Sequence, residues 1–172
     1  MGPHFEYTHK NFLDFTNGMV ALAKSNIDFE INITLTKDHL TGSNLWNELL
    51  NSKTNFHGYI DDPDKMKALF CDNTILISTS VIETLGLHVL EGIKNGVVTI
   101  TPNEDYAQEV YGKHRYSYEL FDIISLIKTV TDVINDKHNI TDTILAQQKY
   151  LRANEKSKLK NTAEVFREMM NV

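Results

Sequence analysis

The chain has 172 residues, of which 41% are hydrophobic and 23% charged, enough apolar material for one buried core and too much for a disordered chain. Lys plus Arg number 17 against 23 Asp plus Glu, a net charge of −6, which argues against nucleic-acid binding along a basic face. No apolar run approaches the ~20 residues of a membrane span, and the first ten residues lack the apolar stretch of a signal peptide, so a cytoplasmic protein is expected. Cys71 is the sole cysteine; no intrachain disulfide can form, and the residue is expected to be a small buried hydrophobe.

From Phe12 to Lys24 the apolar residues Phe12, Phe15, Met19, Val20, Leu22 and Ala23 fall at helical spacing, predicting a helix with one wide apolar face. Residues 27–35 then alternate strictly between apolar and polar, the pattern of a strand. Thr41-Gly42-Ser43-Asn44 reads as a helix entrance, with Leu45, Trp46, Leu49 and Leu50 following at helical spacing. Residues 55–60 read as a short strand running into a Gly-containing loop, and Asp61-Asp62-Pro63 starts a further helix with Pro in its first turn. Thr74-Ile75-Leu76-Ile77-Ser78 is the short continuous apolar run of a strand buried on both faces. A helix from Gly86 to Lys94 stops at Asn95-Gly96, and Val97-Val98-Thr99-Ile100 is the next buried strand, closed by Pro102. Leu120, Ile123, Ile124, Ile127, Val130 and Ile134 form the core stripe of another helix, and residues 141–170 are largely helical, with a solvated face from Lys149 to Lys160.

Strands separated by helical crossovers too long for hairpins imply a parallel sheet covered on both faces. The expected class is α/β, doubly wound, in one domain spanning residues 1–172, with a C-terminal helical segment at 140–170 packed on it. Such folds bind ligands beyond the C-terminal ends of their strands. The loops there carry no Gly-x-Gly-x-x-Gly, no P-loop, no Gly-x-Ser-x-Gly elbow and no zinc-ligand spacing.

What they do carry is Glu83 at the mouth of a strand, Gly86 opening a helix, and Glu91 on that helix. The amides of Gly86, Leu87 and His88 would be unsatisfied donors of the first turn, suited to an anion. The flanking carboxylates could accept hydrogen bonds from sugar hydroxyls. A phosphate between two hydroxyl-bearing rings satisfies all three elements.

The stretch from Ser78 to Ile100 resembles the Glu-x7-Glu motif of family 4 retaining glycosyltransferases, in the C-terminal, nucleotide-sugar-binding half of a GT-B enzyme. Glu83, Gly86, Leu87, Glu91, Gly96 and the following strand are kept; Thr84 and Leu85 replace the family's Gly and Phe, and Gly92 replaces its Ala. Phe56-His57-Gly58-Tyr59-Ile60 resembles the family's Phe-x-Gly loop, and Tyr7-Thr8-His9-Lys10-Asn11 resembles the segment after its first strand. That first strand is expected to be missing or truncated, and His4 or a neighbour stands where the family has an Arg.

The resemblance implies a metal-independent transfer from a nucleoside-diphosphate sugar, UDP- or GDP-linked, with no cofactor. Lys10 would meet the diphosphate and Glu83 the transferred sugar. Glu91 would hold the ribose, and Ile60 would touch the base through its backbone. His88 either approaches the sugar or merely fills the first turn. Asp62 and Lys65 either contact base or ribose or simply cap and decorate their helix. It also implies an acceptor-binding N-terminal domain outside this chain, and peripheral membrane association of the full enzyme, at the inner face of the cell membrane. A non-catalytic nucleotide-binding or interaction module on the same fold, and a nucleoside-diphosphate-sugar epimerase fragment, are the alternatives.

Overall fold

The computed structural model describes residues 7–25, 27–40, 46–71, 73–136 and 139–170, with side chains to residue 155. After a single turn at Thr8–Lys10, the elements run α1 (Phe12–Ala23), β1 (Ile31–Ile33), α2 (Lys37–Leu40), α3 (Glu48–Asn51), β2 (Thr54–Phe56) and α4 (Pro63–Ala68). They continue with β3 (Ile75–Ile77), α5 (Leu87–Lys94), β4 (Val98–Pro102), α6 (Asp105–Tyr111), β5 (Ser117–Tyr118), α7 (Ile123–Asn135) and α8 (Ile140–Met170).

Every strand pairing among the described residues is parallel. β1 pairs with β2, and β4 lies between β3 and β5. Two apolar clusters flank this framework. One joins α1 and α7 to the strands through Phe12, Leu22, Ile33, Ile100, Tyr118 and Leu126. The other joins α5, α6 and α8 through Val89, Ile93, Ala107, Tyr111 and Leu151. β4 is buried along its whole length. Its Val98 and Ile100 enter the first cluster, while Thr99 hydrogen-bonds the buried Gln147 of α8 (3.2 Å). Helices therefore cover both faces, and the doubly wound α/β reading holds.

Several expectations change in detail. The alternation of residues 27–35 persists in burial, but only Ile31–Ile33 pairs as strand. β3 is half-buried rather than enclosed on both faces, because among the described residues only β4 pairs with it. On α7, Ile124 points to solvent, 80% exposed, and its place in the core is taken by Leu126 and Val133. Cys71 is exposed, with its sulfur 3.2 Å from the Thr74 hydroxyl, since it sits in the turn after α4 rather than in an element. The helix entrance expected at residues 41–44, and His4, lie outside the described residues.

α5 presents Glu91 and takes Gly86 as its cap. Its Val89 and Ile93 are fully buried, each stabilising by about 1.5–3 kcal/mol, so the helix is fixed on its inner side. Gly92 lets it approach β3 closely, for a Cβ there would stand 2.6 Å from the Leu76 side chain.

Candidate functional site

β3 ends in three buried polar residues, Ser78, Thr79 and Ser80, and this stretch is stitched to the segment before α1. The Val81 N–H donates to the His9 carbonyl (2.7 Å) and the Thr79 hydroxyl to the Lys10 carbonyl (3.0 Å). Asn11 then turns through a left-handed conformation, φ 46°, into α1. These bonds bring Lys10 to the C-terminal end of β3, where its ammonium donates to Glu83 Oε1 in an ion pair. The Ser80 hydroxyl donates to the same oxygen at 2.9 Å. Behind it, the Tyr106 hydroxyl donates to the Ser80 carbonyl.

The Glu83 side chain is only 12% exposed. Burial alone would raise its pKa; the hydrogen bonds from Lys10 and Ser80 and the charge of Lys10 outweigh that and hold it below the usual 4.5. A depressed folded-state pKa stabilises the fold above the unfolded value, and the contribution disappears as pH falls through the folded one. Denaturation midpoints of the wild type and Glu83→Gln should therefore differ most above pH 4.5 and converge on acidification. A gap that stays constant through that window would refute the ion pair's contribution.

Three residues on, Gly86 caps α5 in a left-handed conformation, φ 51°. Its carbonyl accepts from the N–H groups of Val89 (2.9 Å) and Leu90 (3.3 Å). Among the described residues the amides of Gly86, Leu87 and His88 have no protein acceptor, so the positive end of the helix dipole stays uncompensated by protein groups. His88 is exposed, with Nε2 3.4 Å from the Ser78 hydroxyl, and desolvation of its ring favours the neutral form. Glu91 faces solvent on α5 with no hydrogen bond or ion pair from its carboxylate among the described residues.

The structure thus joins Lys10, Glu83 and the α5 N-terminus into one constellation at the C-terminal end of β3. Ile60, Asp62 and Lys65 follow the C-terminal end of β2, which pairs with β1 rather than with β3, on the loop and first turn of α4. Ile60 is half-buried. Asp62 accepts from the backbone of Asp64 (2.9 Å) and Lys65 (3.4 Å), and Lys65 reaches back to it at 4.0 Å. Their polar contacts serve the cap, and none reaches Lys10, Glu83 or Glu91. Sequence reasoning missed Ser80 and the two tyrosines of α6. The run Tyr106, Ala107, Val110, Tyr111 after Pro102 is too short to set a period, so the sequence carried no firm signal for them.

A match to the family model described as "Glycosyl transferases group 1" covers residues 42–158, taking in the Glu83–Glu91 stretch. The chain belongs to the group 1 glycosyl transferases. Among solved structures, a glycosyltransferase from Rickettsia africae ESF-5 superposes with a TM-score of 0.72 at 18% sequence identity, over 94% of this chain and 45% of that one. The fold is therefore one half of a GT-B architecture, and the chain spans less than half the length of that protein. No curated protein matches. No helix among the described residues is long and apolar enough to cross a membrane, and none of their His, Cys, Asp and Glu side chains cluster to hold a metal ion.

Proposed function

We propose that this chain is the donor-binding domain of a retaining glycosyltransferase and binds a nucleoside-diphosphate sugar at the C-terminal ends of β2 and β3. The observation that carries the reading is the N-terminus of α5, whose first amides have no protein acceptor among the described residues, set beside the Lys10–Glu83 pair. On this reading the amides without a protein acceptor, the helix dipole and the nearby ammonium together supply the positive charge that an anionic diphosphate needs. Departure of the nucleoside diphosphate builds negative charge on its β-phosphate. Lys10 and the amides of Gly86, Leu87 and His88 would meet that charge without reorganising, usually the largest catalytic term. Glu91 holds the ribose hydroxyls, Glu83 orients the sugar, and Ile60 with Asp62 and Lys65 borders the base. The leaving phosphate assists the acceptor hydroxyl on the same face, so no protein nucleophile is required. Acceptor binding, with peripheral association at the inner face of the membrane, belongs on this reading to an N-terminal half of a longer enzyme.

Calorimetric titration with UDP, GDP and ADP tests the site. One of the three is expected to saturate, and Glu91→Ala should bind it roughly tenfold more weakly through loss of the hydrogen bonds from ribose. A folded Glu91→Ala variant with unchanged affinity would remove Glu91 from the site, and no binding at all would favour the non-catalytic module.

A further inference from the structure

Tyr111 closes α6 with its side chain 1% exposed and its hydroxyl unpartnered. An unpaired buried hydroxyl is costly, so its presence asks for a reason. The hydroxyl is pressed against Gly86: a Cβ on that glycine would stand 1.8 Å from the Tyr111 oxygen and 3.6 Å from Glu83 Cγ. Tyr111 and Glu83 therefore border the same small volume. Burial, and then the negative charge of Glu83, both hold the phenol protonated and hence a donor. On the other side, Lys10 and Ser80 both donate to Oε1 of Glu83. Oε2 accepts from neither. An unpartnered buried donor thus lies beside a carboxylate whose second oxygen neither Lys10 nor Ser80 engages.

We infer that Tyr111 is a positioning residue whose hydroxyl takes the Glu83 carboxylate when Lys10 leaves the ion pair. The need for such a partner follows from burial. Removing the ammonium would leave a nearly enclosed carboxylate with one hydroxyl donor, an expensive state. Residues 82–86 form no helix or strand, so Glu83 can turn about its side-chain bonds without breaking a ladder. Tyr106, five residues earlier on α6, already anchors the Ser80 carbonyl. One helix thus supports the Glu83 loop from both ends. Where Lys10 is drawn to a diphosphate, which rests on the proposed donor site, the exchange keeps Glu83 charged and in place.

A double-mutant cycle in the ligand-free protein tests the exchange without that assumption. Tyr111→Phe alone should leave the denaturation midpoint unchanged or raise it, since it deletes an unpaired hydroxyl. In a Lys10→Met background, where Glu83 has already turned to Tyr111, the same substitution should lower the midpoint. Lys10→Gln serves as the background if Lys10→Met does not fold. Equal effects in both backgrounds would overturn the inference, because a purely structural tyrosine contributes the same amount in each. The second arm is titration with whichever nucleoside diphosphate the wild type binds. Tyr111→Phe should bind it about tenfold more weakly, and equal affinity would overturn the exchange. A wild type that binds none refutes the donor site, and the cycle then decides the role of Tyr111 by itself.

Discussion

A Gly86→Ala variant is expected to lose about 3 kcal/mol of stability and to melt roughly 10 °C lower, from left-handed strain and overpacking together. The strain comes from a φ of 51°, and the overpacking from a Cβ that would stand 1.8 Å from the Tyr111 oxygen and 3.0 Å from Cζ. Tyr111 cannot retreat easily, because its ring is buried among Val89, Ile93, Ala107 and Leu151. The two causes separate in a second variant. Tyr111→Phe removes the oxygen but leaves the ring carbon and the backbone strain, so Gly86→Ala with Tyr111→Phe should recover part of the loss. Thermal unfolding of the three variants reads both terms. A Gly86→Ala protein that melts with the wild type would mean that α6 shifts freely, and the close packing of Tyr111 on the turn would be wrong.

Why Gly86 was legible as a helix entrance, while Tyr111 was not legible as its neighbour, follows from the range over which each signal acts. A strand end, a glycine and eight residues of helical spacing are contiguous, and local periodicity reports them. α6 is under two turns long, too short to establish a period, and its tyrosines read as polar or apolar equally well. β5 is two residues long and gave no run at all. The same limit explains β3. Its composition marks an apolar strand, but how many faces are covered depends on neighbours distant in sequence. Lys10 and Glu83 are separated by 73 positions, and no spacing rule connects them. Family resemblance put one on the diphosphate and the other on the sugar. It did not foresee that they pair with one another.

That ion pair sets the second large effect. Lys10→Ala should weaken nucleoside-diphosphate binding roughly 10- to 100-fold, the loss of a charge-assisted hydrogen bond to phosphate. Part of this would come from Glu83, whose carboxylate would then face the incoming anion without its counter-charge. Replacing that carboxylate as well, in Lys10→Ala with Glu83→Gln, separates the contributions. If Lys10 acts mainly by neutralising Glu83, the double variant should bind nearly as well as wild type. If Lys10 itself grips the diphosphate, the double variant should stay weak, recovering only the repulsive part. Salt adds an independent check, because exposed charge interactions fade as the Debye length shortens. The Lys10 side chain is 26% exposed, so its contribution should shrink with added salt yet persist. Wild-type affinity in Lys10→Ala alone, at low salt and with the fold intact, would leave the α5 amides as the anion site and remove Lys10 from it.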